Sequence, residues 1–279
     1  MKVLISDPIS TSGIDLLKKA GLSVDYLPEW TEDELKTHVS DASGWVIRSG
    51  TKVTEGLMDL ANNLQIIGRA GVGVDNIDIP SATRRGVIVI NTPEVNTISA
   101  AEHTIGMMLA LARNIPQGHS GLINGEWNRH ALVGVELRGK SLGIIGIGKI
   151  GREVIKRCKS FQMNIFGYDP YCNQDMFKKD EVKLVDLDTL TRESDFISLH
   201  LPINDKTRNL FDLSRLKMMK TTAVIINVAR GGIVNEIDLV TALNEDIIGG
   251  AALDVYSIEP LESYHPLTNT KHVILTPHL

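Results

Sequence analysis

Short apolar runs alternate with amphipathic stretches through the first hundred residues. Val3-Leu-Ile5, Ser23-Val-Asp-Tyr26, Trp45-Val-Ile47, Gln65-Ile-Ile67 and Val87-Ile-Val-Ile90 read as strands, and Ser12–Ala20, Glu32–Val39, Glu55–Ala61 and Pro80–Arg85 as the helices between them. Such alternation with short connections predicts a parallel sheet covered by helices on both faces. In sheets of this kind ligands bind beyond the C-terminal strand ends. The loops 48–52, 69–75 and 91–96 follow such ends and are the places to look for substrate contacts.

The pattern changes at Ser99–Arg113, a long helix that is apolar almost all round. A helix without a polar face is buried in a core or against another subunit; a share in a dimer interface is slightly favoured. Gly118–Gly134, with Trp127, Arg129 and His130, reads as irregular. Alternation then resumes, with strands expected at 142–145, 164–168, 182–184, 196–199, 223–227, 250–253 and 273–275. From about residue 98 onward the chain therefore reads as one dinucleotide-binding domain.

The sharpest local signal lies at Leu142-Gly-Ile-Ile-Gly146-Ile-Gly148-Lys149-Ile150-Gly151, where a buried strand turns straight into the helix 149–161. In G-x-G-x-x-G the first glycine makes the tight turn and the second lets backbone approach a pyrophosphate. The third lets helix pack on strand. The helix N-terminus then offers unpaired N–H groups and a positive dipole end. Strand 164–168 ends on Asp169, about 20 residues beyond the glycines, where a carboxylate takes both ribose hydroxyls and repels a 2′-phosphate. Pro170, Tyr171 and Cys172 include no arginine to hold that phosphate, so the expected cofactor is NAD rather than NADP.

Bulk properties narrow the partners. A chain of 279 residues, 43% hydrophobic, is long enough for two domains. A net charge of −5 offers no broad basic surface, so neither nucleic acid nor an anionic membrane is an expected partner. Two cysteines without a CxxC spacing indicate neither a disulfide framework nor a zinc site, and no metal is expected. Met1–Asp7 reads as a first strand rather than a signal peptide, and Ile105–Ala112 is too short to span a bilayer. The expected location is the cytoplasm.

Three ionisable residues follow buried strands of the second domain: Arg230 in a glycine turn, Glu259 before Pro260, and His278 after Thr276-Pro277. Together they offer what hydride chemistry on a hydroxy acid needs. A guanidinium holds carboxylate and carbonyl oxygen, an imidazole takes the hydroxyl proton, and a carboxylate fixes the imidazole.

Arg48-Ser-Gly-Thr-Lys52, Gly68-Arg-Ala-Gly-Val-Gly-Val-Asp-Asn76, Gly146–Gly151, Asn227-Val-Ala-Arg-Gly-Gly-Ile-Val234, Ala251-Ala-Leu-Asp-Val255, Glu259-Pro260 and Thr276-Pro-His278 resemble, in order and over essentially the whole chain, the D-isomer-specific 2-hydroxyacid dehydrogenases. The resemblance implies two doubly wound parallel-sheet α/β domains with the active site in the cleft between them. Residues 1–97 would form a flavodoxin-like substrate-binding domain and 98–279 a Rossmann NAD-binding domain. It implies Arg230 as substrate anchor, Glu259 as orienter and His278 as acid–base. Along the cofactor it places Val72, Gly146, Gly148, Lys149, Ile150, Gly151, Asp169, His200, Leu201, Pro202, Thr207, Val228, Ala229 and Asp254. On the substrate side it places Arg48, Ser49, Gly50, Arg69, Gly71 and Arg129, the last in a segment that in relatives lies near the partner subunit's active site. A homodimer or homotetramer is implied. Within the family the motifs are most like those of members that oxidise D-3-phosphoglycerate to 3-phosphohydroxypyruvate for serine biosynthesis. Arg48, Lys52 and Arg69, three cations in two strand-end loops of an acidic chain, suit such a phosphorylated 2-hydroxy acid. Alternatives are glyoxylate or hydroxypyruvate reduction on the same scaffold, and an NAD-sensing corepressor. The sequence departs from the family at its end, stopping one residue after His278, where members continue into a helix returning to the first domain.

Overall fold

A computed structural model describes residues 1–92, 96–173, 175, 177 and 181–279. The chain divides into two compact units, Met1–Asn96 and Thr97–Leu279.

The first unit runs β1 (Lys2–Ile5), α1 (Thr11–Lys19), β2 (Ser23–Tyr26), α2 (Glu32–Val39), β3 (Gly44–Ile47), α3 (Glu55–Leu60), β4 (Ile66–Arg69), α4 (Ile79–Arg84) and β5 (Ile88–Asn91). Its strands are parallel in the order β2-β1-β3-β4-β5. Polar residues start the helices where the apolar periodicity begins. Ser10, Thr54 and Asp78 each accept a first-turn N–H, and Thr31 with Glu34 forms a reciprocal capping box. Leu4, Trp45, Ile47 and Ile67 meet Leu35, Val39 and Met58 on one sheet face, while Val3, Ile5 and Ile14 close the other. Trp45 is 1% exposed, so its truncation to Ala would cost roughly 3–5 kcal/mol.

The second unit opens with α5 (Thr97–Ala112) and α6 (Ile115–Ile123). It continues through β6 (Ser141–Ile145), α7 (Lys149–Ser160), β7 (Asn164–Tyr168), β8 (Lys183–Leu184), α8 (Leu187–Glu193), β9 (Phe196–Leu199), α9 (Leu213–Leu216), β10 (Val224–Asn227), α10 (Glu236–Asn244), β11 (Gly250–Leu253) and β12 (Val273–Leu275). All seven strands are parallel, in the order β12-β11-β10-β9-β6-β7-β8. The direction of winding reverses between β6 and β9, a switch point of the kind that binds dinucleotides. One face of the sheet is covered by α5 and α7, the other by α8, α9 and α10.

Of the two readings of the apolar helix, the unit shows the core one: α5 buries Ala101, Thr104, Ile105, Met107, Met108 and Ala112 against α7 and the strands. The segment 118–134 is irregular only in its second part, because Asn114-Ile-Pro116 starts α6, which runs to Ile123. Proline fits a first helical turn. No residue of α6 is buried.

Candidate active site

The register of the second sheet fixes where its chemistry sits. Tyr168 lies opposite Ile145, Ile145 opposite Leu199, Leu199 opposite Asn227, Asn227 opposite Leu253, and Leu253 opposite Leu275. Six strands therefore end level, and the loops that leave them share one edge. Those loops carry Gly146–Gly148, Asp169, His200–Pro202, Val228–Arg230, Asp254–Glu259 and Thr276–His278.

The glycines of the first loop behave differently from one another. Gly146 has φ +91°, and a Cβ there would collide with the His200 carbonyl. A Cβ on Gly151 would strike the carbonyl of Gly146, so this glycine sets the close packing of α7 on β6. A Cβ on Gly148 would meet nothing within 4 Å. Gly148 is also the N-cap of α7, with no side-chain cap hydrogen bond among the described residues. A pyrophosphate fits a cradle of this kind, since it would meet backbone N–H groups and a helix dipole instead of a cap. Asp169 braces the same turn. One carboxylate oxygen accepts from Ile147 N–H at 2.9 Å and the other from Tyr171 N–H at 2.9 Å. Each oxygen keeps a lone pair for a ribose hydroxyl.

At the other end of the row His278 Nδ1 lies 2.7 Å from Glu259 Oε2, and Glu259 Oε1 accepts from Tyr256 N–H at 3.0 Å. The carboxylate is thus held on both oxygens, and it fixes which ring nitrogen of His278 points away from it. His278 has φ +55°, a left-handed backbone uncommon for a non-glycine residue. Its segment is tied on both sides to Asp254, which is 1% exposed: Oδ1 accepts from Thr276 Oγ1 at 2.5 Å and Leu279 N–H at 3.1 Å. The Arg230 turn sits on the adjacent loop. Asn227 donates to the Arg230 carbonyl at 2.9 Å and accepts from Ala229 N–H at 3.1 Å, and Gly231 lies so close to the Tyr256 carbonyl that no side chain could stand there.

The remaining candidates of this unit, apart from Arg129, belong to the same strand-end loops and the start of α7. His200 Nε2 is 2.9 Å from Ser198 Oγ, and burial pushes its pKa down to about 4, so the ring is neutral near pH 7. Leu201 and Pro202 continue that loop, which Thr207 closes by donating to the Pro202 carbonyl at 2.7 Å. Val228 and Ala229 precede Arg230 and are half-buried, and Lys149 and Ile150 form the first turn of α7. Arg129 is exposed in the segment after α6.

In the first unit Arg48, Ser49 and Gly50 form an exposed loop after β3, and Arg69 ends the neighbouring strand β4. The Arg69 guanidinium lies against Gly71, in the space a Cβ there would take. The carbonyl of Val72 accepts from Asn91 Nδ2 at 2.6 Å. Pro93, Glu94 and Val95 of the expected contact loop lie outside the described residues.

Several contributors escaped the sequence reading. Tyr256 donates to the Thr276 carbonyl at 2.9 Å, and burial together with the nearby Asp254 and Glu259 charges pushes its phenol up to about 12. His103 on α5 places Nε2 3.3 Å from both Asp254 Oδ1 and Thr276 Oγ1. Only the run Thr276-Pro-His278 hinted at Thr276, and a histidine on an apolar helix gave no signal at all.

Residues 105–279 match the NAD-binding domain of the D-isomer specific 2-hydroxyacid dehydrogenases. The chain belongs to the D-isomer-specific 2-hydroxyacid dehydrogenase family. It is 47% identical over 279 residues to a D-3-phosphoglycerate dehydrogenase of Methanocaldococcus jannaschii, covering 100% of this chain and 53% of that protein. It is 48% identical to one of Synechocystis, covering 100% of this chain and 50% of that protein. The chain thus spans about half the length of the curated relatives it matches. Among solved structures, an NAD-dependent formate dehydrogenase from Staphylococcus aureus in complex with NAD superimposes with a TM-score of 0.90 at 31% identity, covering 100% of this chain and 88% of that one. A D-lactate dehydrogenase from Aquifex aeolicus complexed with NAD and lactic acid does so at 0.88 and 26%, covering 100% and 88%. The two α/β units of this family member and its NAD-binding domain are those its motifs implied.

Proposed function

We propose that this chain carries out NAD-dependent oxidation of D-3-phosphoglycerate to 3-phosphohydroxypyruvate. The observation that carries the reading is the His278–Glu259 pair, 2.7 Å apart, on the strand-end edge that also bears Arg230 and the glycine cradle. When bound, NAD supplies the acceptor for the hydride leaving the substrate C2. His278 takes the hydroxyl proton on Nε2, because Nδ1 faces Glu259. Glu259 stabilises the imidazolium that results. Arg230 holds the substrate carboxylate and the developing ketone oxygen, a task that suits a forked cation better than a lysine. In the balance, hydroxy acid and NAD⁺ give oxo acid, NADH and one proton, which leaves from His278.

Support for the phosphorylated acid comes from Arg48 and Lys52 in the loop after β3 and Arg69 at the end of the neighbouring β4, and from the named relatives. The apolar side chains exposed on and after α6, namely Ile115, Leu122, Ile123, Trp127, Val133 and Val135, support a homodimer or homotetramer. Among the described residues no helix is long and apolar enough to cross a membrane, and we place the activity in the cytoplasm. The test is NADH consumption with 3-phosphohydroxypyruvate, hydroxypyruvate and glyoxylate compared at equal concentration. The first is expected to react fastest; a preference for either unphosphorylated acid would replace this assignment with a reductase.

A further inference from the structure

Beneath the Arg48–Thr51 loop lies a carboxylate that no motif singled out. Asp7 follows β1, which pairs directly with β3, so it stands beside the segment leaving β3. It is only 4% exposed and, among the described residues, forms no salt bridge. A buried carboxylate without a cation is costly unless hydrogen bonds replace its water. Here backbone amides do so: Oδ2 accepts from Arg48 N–H at 2.5 Å and Thr51 N–H at 3.1 Å. The carbonyls of the same two residues are taken by one other side chain. Asn76 Nδ2 donates to the Arg48 carbonyl at 2.7 Å and the Thr51 carbonyl at 2.6 Å.

Both ends of the loop are therefore fixed through all four of their backbone groups. The Thr51 side chain is fixed as well, 2.8 Å from Ser6 Oγ, which also accepts from Trp45 Nε1 at 2.8 Å. Between the fixed ends Ser49 and Gly50 are exposed, and among the described residues their N–H groups have no hydrogen-bond acceptor. Gly50 is matched to the carboxylate, since a Cβ there would stand 2.5 Å from Asp7 Oδ1. A loop whose outer amides are consumed internally and whose inner amides are left exposed is prepared to receive an anion, without ordering cost when it arrives.

We propose that Asp7 and Asn76 are positioning residues that clamp the 48–51 loop so that Ser49 and Gly50 N–H, with the Arg48 side chain, receive the phosphate of the phosphorylated 2-hydroxy acid. This rests on the function proposed above. Because a fixed loop binds substrate and transition state alike, losing the clamp raises KM more than it lowers kcat.

The experiment compares wild type, Asp7→Ala, Asp7→Asn and Asn76→Ala by steady-state kinetics with 3-phosphohydroxypyruvate and NADH, and by amide hydrogen exchange. Asp7→Ala and Asn76→Ala should each raise KM for the oxo acid about tenfold, with kcat and NADH affinity changed by less than about threefold. Asp7→Asn keeps an acceptor oxygen for both amides and should restore most of the wild-type KM. In wild type the Arg48 and Thr51 amides should exchange slowly and those of Ser49 and Gly50 fast; in Asp7→Ala all four should be fast. A KM within about twofold of wild type in both alanine variants would overturn the proposal, as would fast exchange at Arg48 and Thr51 in wild type. If wild type consumes NADH with none of the oxo acids, the function reading fails instead. The wild-type exchange pattern then still decides whether the clamp exists, even if an alanine variant does not fold.

Discussion

The two sheets prepare their loops in opposite ways. In the second unit the groups we propose for the chemistry are side chains at strand ends, His278, Glu259 and Arg230, and the backbone around them is held by neighbours such as Asn227 and Asp254. In the first unit the exposed loop after β3 offers backbone as well as side chains, and buried polar side chains, Asp7 and Asn76, hold it from beneath. Where a transition state must gain or lose a proton, a titratable group has to face the substrate. Where an anion must only be gripped, fixed amides suffice.

The largest effect should come from removing the cation of the second unit. Arg230→Gln is expected to lower turnover on the order of a hundredfold while NADH binding, measured by fluorescence titration, stays near wild type. Near-normal turnover would move the substrate anchor elsewhere and erase the contrast between the sheets. The glycine turn allows a finer cut within one loop. Gly148→Val places a side chain in open space and should weaken NADH binding by at least about tenfold with little change in thermal stability, whereas Gly151→Val meets backbone and should destabilise the fold by more than about 2 kcal/mol. Equal losses of stability in both would mean that the open side of Gly148 is not a ligand surface.

A smaller effect tests the cations of the first unit. Lys52→Gln is expected to lower kcat/KM several-fold, about 1 kcal/mol, for 3-phosphohydroxypyruvate and to leave hydroxypyruvate unaffected. An equal loss on both acids would show that Lys52 does not read the phosphate. The last effect is on stability rather than on activity. His200 is kept neutral down to about pH 4 by burial, whereas in the unfolded chain it protonates near 6.5. The unfolded state thus binds more protons between these values, so stability should fall as pH drops from 6.5 toward 4 and then level off. Each pK unit is worth about 1.4 kcal/mol. In His200→Gln this part of the slope should vanish, as read from urea unfolding at several pH values.

How far the molecule was legible from its sequence follows the same division. Strands such as Phe196–Leu199 and Gly250–Leu253 are buried on both faces and stand out as unbroken apolar runs. The glycines at 146 and 151 announce themselves because a side chain there would strike backbone, whereas Gly148 is legible only through its place in the same spacing. The polar groups that brace the loops do not. Asp7 looks like an ordinary residue after a strand, and its partners are 41 and 44 positions away. His103 meets Thr276 across 173 positions, a contact no local pattern encodes. The α6 helix lies partly in a segment whose sequence reads as irregular, and none of its residues is buried to leave an apolar stripe.

The most direct test of the account is the turnover of His278→Ala with 3-phosphohydroxypyruvate, measured alongside its NADH dissociation constant. A loss on the order of a hundredfold or more in turnover, with NADH affinity within about twofold of wild type, is the predicted result. Turnover within a few-fold of wild type would contradict it, because the proton would then be carried by a group other than this imidazole.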